Sequence, residues 1–224
     1  MPETVTKQRK DGEATRQKLL DAACCVFSEK GFRDATVGEI CRRAGANPAL
    51  ISYHFGDKAS LYEAVWRQCV ARAHEHYPVD GGVDPGAPAE DRFRAHIKTF
   101  VRCMADSGEL SHLHRLNLWE STSPNPFISD VIRELRQPHT SYLWGLLKEL
   151  LGPKATEADL ALCETTVVGQ CRMARAGRGT RTPDLTTPLS PDDTEILAEH
   201  IANFTLAGIA EMHQRISRRR KKQS

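Results

Sequence analysis

The chain has 224 residues, enough for one large domain or two small ones, and its 40% hydrophobic content is that of a globular protein with a real core. Its 31 Lys and Arg face 29 Asp and Glu, and without Arg218, Arg219, Arg220, Lys221 and Lys222 the body is mildly acidic, so overall basicity gives no argument for a nucleic-acid partner. The seven cysteines form no CxxC pair and no Cys/His cluster at metal-ligand spacing, no leader-like segment opens the chain, and no stretch approaches the roughly eighteen apolar residues of a membrane span; no metal site and no membrane partner are expected, and buried thiols in a cytoplasmic protein are.

Residues 1–12, MPETVTKQRKDG, have no apolar periodicity and read as a flexible basic arm carrying Lys7, Arg9 and Lys10. From Glu13 to Lys30 the positions Leu19, Leu20, Ala23, Val26 and Phe27 recur at helical spacing, and Gly31 stands where a left-handed helix stop is wanted. Thr36-Val-Gly-Glu39 has the form of a capping box, in which the hydroxyl accepts the amide three residues on and the glutamate reaches back. A short helix to Arg43 follows and Gly45 ends it. Asn47-Pro48 starts the next with a side-chain cap and a proline at the first helical position, where the missing N–H costs nothing. Gly56 stops that helix after Phe55. Asp57 then caps a helix with Leu61, Val65 and Cys69 on one stripe, running to Pro78.

The segment PVDGGVDPGAPA, 78–89, reads as a linker and marks the expected domain boundary. Beyond it helices are predicted over about 90–107, 109–121, 126–151, 157–174 and 192–217, with Pro138 kinking the third and Gly152-Pro153 ending it. Residues 176–191, AGRGTRTPDLTTPLSP, have no core face and are expected to be a loop. No alternating strand is found, so the fold is expected to be all-α. The predicted division is a basic arm 1–12, a helix-turn-helix domain 13–58, a connecting helix 59–77, a larger helical domain 90–217 and a basic tail 218–224 that serves as a solvated end.

A supporting helix, a capped short helix, a glycine turn and a second capped short helix, within about forty residues, describe a helix-turn-helix. In that geometry the second short helix enters the major groove with its first residues toward the bases. Plain helical-bundle corners use the same pieces. Tyr53, His54 and Lys58 favour the DNA reading, because a phenol, an imidazole and an ammonium need polar partners when buried but suit phosphate oxygens when exposed.

The run TVGEICRRAGANPALISYHFGDK, Thr36 to Lys58, followed by Leu61-Tyr62, resembles the DNA-binding domain of the TetR family of one-component bacterial repressors over about residues 13–65. The ending SYHFGDK-x-x-LY, with LAEHIANFTLAGI at 197–209, is most similar to the branch with a CerR-type C-terminal domain. The resemblance implies that Thr36, Tyr53 or His54, and Lys58 hold backbone phosphates, while Pro48, Ala49, Leu50 and Ser52, started by Asn47, face the bases. Ser52 stands where the family usually has tyrosine. Ile51 and Phe55 are expected in the core. The resemblance also implies a homodimer on a palindrome-like double-stranded operator, with recognition helices about 34–36 Å apart. Its interface candidates are Leu197, Ile201, Phe204, Leu206 and Ile209, which could equally fill the monomer's own core.

Family members of this type usually bind a small effector in the C-terminal domain. Among the aromatic, histidine and methionine residues between 96 and 147, Phe100, Met104, His114, Trp119, Phe127 and Trp144 are the candidate pocket, although an aromatic at helical spacing is core more often than pocket. His112 and His114 point about 200° apart on a helix and cannot chelate one metal together. No nucleophile motif, glycine-rich phosphate loop or metal spacing appears, so neither an enzyme nor a cofactor is expected. Adjacent Cys24 and Cys25 project in different directions, which favours packing over a redox sensor. The expectation is a ligand-responsive repressor; the alternative is a helical small-molecule-binding or interaction protein that no longer reads DNA.

Overall fold

A computed structural model describes residues 3–108, 110–172 and 189–218. Most of the expected loop at 176–191, and the tail beyond Arg218, lie outside the described residues. The described residues are helical with no strand: α1 Glu3–Asp34, α2 Val37–Ala44, α3 Ala49–Phe55, α4 Lys58–His76, α5 Ala89–Ala105, α6 Ser111–Thr122, a 3-10 turn Pro126–Ile128, α7 Ser129–Leu151, α8 Glu157–Arg172 and α9 Pro191–Arg218. None of these helices is long and apolar enough to cross a membrane.

The expected arm is corrected: α1 already begins at Glu3. Glu, Lys, Gln and Arg are good helix formers even where no apolar face is buried, so the lack of periodicity did not mean the lack of a helix. At the other end Gly31 breaks α1 with φ 73° and ψ 178°, a glycine conformation but not the left-handed stop expected, and the helix resumes as far as Asp34. Pro138 lies inside α7, which continues to Leu151.

Two compact units emerge. The first holds the chain up to Arg72 together with His112–Leu135; the second holds Ala73–Ser111 and the chain from Arg136. The chain therefore crosses between units three times, inside α4, at the start of α6 and inside α7, while the Gly/Pro segment at 78–89 lies within the second unit.

In the first unit Leu19, Ala23, Val26 and Phe27 of α1 are buried, as are Ile40, Ile51, Leu61, Tyr62, Val65 and Trp66 from the three helices that follow. Phe27 meets Tyr62 edge-on at 4.8 Å, and Phe32 lies 5.2 Å from the same ring. Helix α6 joins this core through polar anchors. The Tyr62 hydroxyl donates to Glu120 Oε1 at 2.7 Å, Trp119 Nε1 donates to the Ser28 carbonyl at 3.1 Å, and Ser28 Oγ pairs with His112 Nδ1 at 2.7 Å. Burial and the Glu120 carboxylate push the Tyr62 phenol well above its ordinary range, so it stays a donor.

The second unit buries Phe93, Ile97 and Val101 of α5 against Leu143, Leu147 and Leu151 of α7, Leu160, Val167 and Cys171 of α8, and Ala198, Ile201, Ala202 and Ile209 of α9. Helix α5 runs along α9, and Glu199 receives Arg94 at 3.1 Å and Lys98 at 2.7 Å across that seam. All seven cysteines are free thiols; Cys24, Cys41, Cys69, Cys163 and Cys171 are buried as expected, whereas Cys25 and Cys103 are half-buried. In the first unit Cys24 and Cys69 bring their sulfurs within 3.3 Å across α1 and α4.

Candidate nucleic-acid interface

Caps fix the two short helices of the head. Thr36 Oγ1 accepts the Glu39 amide at 3.2 Å, the first half of the predicted capping box. The Glu39 carboxylate turns instead to Lys30, at 2.7 Å, and lies 4.0 Å from Arg43. Arg43 in turn grips Glu29 with both terminal guanidinium nitrogens, Nη1 and Nη2, at 2.8 and 2.6 Å, tying α2 to α1. That pairing holds the Glu29 carboxyl below its usual range.

Gly45 closes α2 in the left-handed conformation, φ 61° and ψ 37°, with the Ala46 amide reaching back to the Cys41 carbonyl at 2.9 Å. Asn47 Oδ1 then caps α3 by accepting the Ala49 amide at 2.9 Å, and Pro48 already has helical angles, φ −52° and ψ −32°. Asp57 starts α4 in the same way, taking the Ser60 amide at 2.7 Å, which lowers its own pKa.

The seven residues of α3 divide as a groove-reading helix requires. Ile51 is 2% exposed and anchors the helix in the head. Asn47, Pro48, Ala49, Ser52 and Tyr53 are exposed, and Leu50 and His54 are half-buried. Ser52 and Tyr53 each stand about one turn after Ala49 on the open side. Tyr53 is 81% exposed and meets His54 edge-on at 4.9 Å, so the phenol is left free to reach outward. Phe55 corrects the expectation of a core residue: it is half-buried, and the Arg16 guanidinium covers its ring at 5.0 Å.

Lys58 is placed differently from its assigned role. Its ammonium lies 4.5 Å above the Phe32 ring and 3.4 Å from the Arg33 carbonyl, folded onto the corner after Gly31, where burial lowers its pKa. Meanwhile Arg33 and Arg42 stand exposed on the same head. Sequence reasoning passed over both, although basic residues in the last turns of α1 and α2 were the available signal.

The six expected effector residues do not share one unit. Trp119 belongs to the head, where its ring lies 3.0 Å from the point a Cβ on Gly31 would occupy. Phe127 also belongs there, 4.7 Å from Phe32, as does His114. Phe100, Met104 and Trp144 lie in the second unit, and the Trp144 indole donates to Glu164 at 2.6 Å.

The interface candidates also separate. Ile201 and Ile209 belong to the second unit's own core, Leu197 and Leu206 are half-buried, and Phe204 is 63% exposed. Phe204 and the 64%-exposed Leu162 flank a groove of about 410 Å³ between α8 and α9, lined also by Thr166, Gly208 and Met212. Leu162 was missed because an apolar residue on the outer side of a helix is not marked by periodicity.

The second unit also gathers three imidazoles. His139 lies 5.1 Å from His74 and 5.8 Å from His96 between ring centres. Burial and the two neighbouring rings push His139 down to about 4, and burial lowers His74 and His96 too. A histidine kept neutral in the fold destabilises it wherever the unfolded chain would take up the proton. For His139 stability is therefore expected to be lost as pH falls from about 6.5 toward 4, by up to about 1.4 kcal/mol per pH unit, with losses of the same sign from His74 and His96. Thermal unfolding should show a shallower acid slope in His139→Phe than in the parent; parallel slopes would assign the loss elsewhere. Among the described residues no three His, Cys, Asp or Glu side chains are set to hold a metal ion.

Residues 19–65 match the family "Bacterial regulatory proteins, tetR family", and residues 89–209 match "HTH-type transcriptional dual regulator CecR, C-terminal domain". The C-terminal resemblance thus resolves to CecR. The chain is similar to the transcriptional regulator AcrR of Shigella flexneri, 37% identical over 27% of this chain and 28% of that protein, so it spans less than a third of that relative's length. It is 28% identical to the regulator BetI of Escherichia coli O139:H28 over 54% of this chain and 68% of BetI. Among solved structures, the regulator FadR of Bacillus subtilis, in complex with stearoyl-CoA, has a similar fold with TM-score 0.65 at 18% identity, covering 86% of this chain and 98% of that one. With one family matched over more than half of its 224 residues and the other over its helix-turn-helix head, the chain belongs to the TetR family of bacterial transcriptional regulators.

Proposed function

We propose that the protein is a homodimeric, cytoplasmic repressor that holds a palindrome-like operator through α3 and leaves it when a small molecule binds the C-terminal helices. The observation that carries the reading is the division of α3 itself. An apolar anchor, Ile51, fixes the helix, while Pro48, Ala49, Leu50 and Ser52 form an uncharged base-facing surface and Tyr53 extends beside it as a phosphate donor. Thr36 presents an exposed residue at the start of α2, and His54 stands next to Tyr53. Lys58 reaches a phosphate only by leaving the Phe32 ring, so in this reading Arg33 and Arg42 carry part of the backbone grip instead. The likeness in fold to FadR, a regulator solved with stearoyl-CoA, supports a ligand-responsive C-terminal half.

Fluorescence anisotropy with DNA from the protein's own upstream intergenic region tests the reading, with a genome-wide selection if that region fails. A specific complex that weakens steeply with salt is expected; its absence from both experiments would sink the regulator reading in favour of a helical binding protein that does not read DNA. Within it, Leu50→Ala is expected to change which base pairs are preferred while leaving the salt slope unchanged.

The pairing surface assigned to the dimer is the groove between α8 and α9, with Phe204 and Leu162 as its apolar contacts. Phe204→Glu places a charge in that surface on both copies and is expected to raise the dimer dissociation constant at least about tenfold. Analytical ultracentrifugation reads this directly, and an unchanged dimer would move the interface elsewhere.

A further inference from the structure

We propose that His74, His96 and His139 form the receiving end of a ligand site for the carboxyl group of a small acid with an apolar body, which binds with uptake of a proton. The proposal rests on the ligand-responsive reading above and gives its effector a chemical class. The three imidazoles come from three helices, α4, α5 and α7, and converge with ring centres 5.1 and 5.8 Å from His139.

Their hydrogen bonds define what is missing. His96 is 1% exposed, and its Nδ1 lies 2.7 Å from the Val79 carbonyl. A carbonyl oxygen only accepts, so Nδ1 carries the hydrogen and Nε2 keeps a bare lone pair. His139 Nδ1 is buried with no hydrogen-bond partner, one of very few such side-chain atoms among the described residues. A buried polar atom left unpaired is costly and calls for an explanation. Phe100 lies 5.7 Å from His139, and Tyr142 lies 5.4 Å from His96, giving the cluster aromatic walls. His74, Phe100, His139 and Tyr142 each keep partial exposure, so the cluster opens to solvent around the buried His96.

The charges around the cluster select the ligand. Among the described residues, none of the three histidines is ion-paired to a carboxylate, and the titratable groups bearing on His139 are the other two imidazoles. Asp80, Arg92 and Glu149 act on Tyr142 at the outer edge, and Arg136 precedes His139 by one turn on α7. What the cluster lacks is a negative charge and a proton. A carboxylate with one proton taken from solvent supplies both, converting one imidazole to an imidazolium paired with the acid, while Phe100 and Tyr142 cover the apolar body. A metal ion would bring more positive charge with nothing to balance it, and the three nitrogens are not set to hold one.

The test uses the full chain and isothermal titration calorimetry at pH 7, with straight-chain carboxylates from butanoate to octadecanoate, benzoate and phenylacetate, the corresponding alcohols, and Zn²⁺ alone. At least one acid is expected to bind saturably where its alcohol does not. Repeating the titration in buffers of different ionisation enthalpy should show uptake of about one proton per site, and affinity should fall up to about tenfold per unit of rising pH. His139→Phe should weaken that acid at least about tenfold and remove the proton uptake; if it fails to fold, His139→Gln replaces it with the same expectation. No binding by any acid, binding without proton uptake, unchanged affinity in the variant, or binding of Zn²⁺ in place of acids would each overturn the proposal. DNA binding is measured separately without acid. Intact DNA binding with no acid binding removes the ligand site alone, and acid binding with no DNA binding removes the regulator reading alone.

Discussion

Gly31→Val is expected to destabilise the head by about 2–4 kcal/mol. Two independent costs add. At φ 73° and ψ 178° the backbone occupies a region open essentially to glycine alone. A Cβ there would also come within 3.0 and 3.1 Å of two ring carbons of Trp119, an indole held in place by its bond to the Ser28 carbonyl. Valine adds a second branch to that crowding. Gly45→Ala is the internal comparison: its φ is 61°, ordinary for a helix stop, and the added methyl meets nothing within 4 Å. It should cost only about 1 kcal/mol. Urea unfolding of both variants checks the pair, and equal losses would mean that the Trp119 ring gives way at no cost.

Tyr53→Ala is expected to lower operator affinity by a hundredfold or more while leaving the unfolding midpoint where it was. The side chain is 81% exposed and, among the described residues, its ring neighbour is His54, so little packing is lost with it. A hydrogen bond to a charged phosphate is worth about 1.5 kcal/mol or more, and a symmetric dimer loses it twice. Doubling the loss to about 3 kcal/mol gives the hundredfold change. Tyr53→Phe separates the hydroxyl from the ring. Anisotropy titrations at one fixed salt concentration should find Phe nearly as weak as Ala; a Phe variant with parental affinity would assign the contact to the ring rather than to phosphate.

Much of this head was legible because its punctuation is chemical. Gly45, Asn47 and Asp57 each perform the stop or cap that their residue type suggests, since a left-handed turn or an orphan amide can be met by few side chains, while Gly31 breaks its helix in another glycine conformation. What was not legible depends on neighbours distant in sequence. Periodicity shows that α6 has an apolar face but not that the face belongs with α1 and α4, so Trp119 and Phe127 were assigned to an effector pocket when they pack in the head. Ile201 and Phe204 are three residues apart on α9, yet one is core and the other exposed, a distinction that hydrophobicity alone does not make. Lys58 shows a third limit: a lysine has a long flexible stem, and where its charge comes to rest is decided by whatever ring or carbonyl lies within reach. The helix over residues 3–12 escaped notice for the opposite reason, having propensity without a face.

The passage of the chain between units inside α4 has a consequence for anyone who recombines this protein with its relatives. Glycine and proline advertise 78–89 as the place to cut, but a head transplanted as residues 1–77 leaves behind His112–Leu135, which belongs to the same compact body. Such a graft exposes the Gly31 corner that Trp119 covers, and strands the Tyr62 hydroxyl without Glu120. A chimaera that keeps the parental DNA specificity must carry both pieces of sequence, and so must be spliced at three places rather than one.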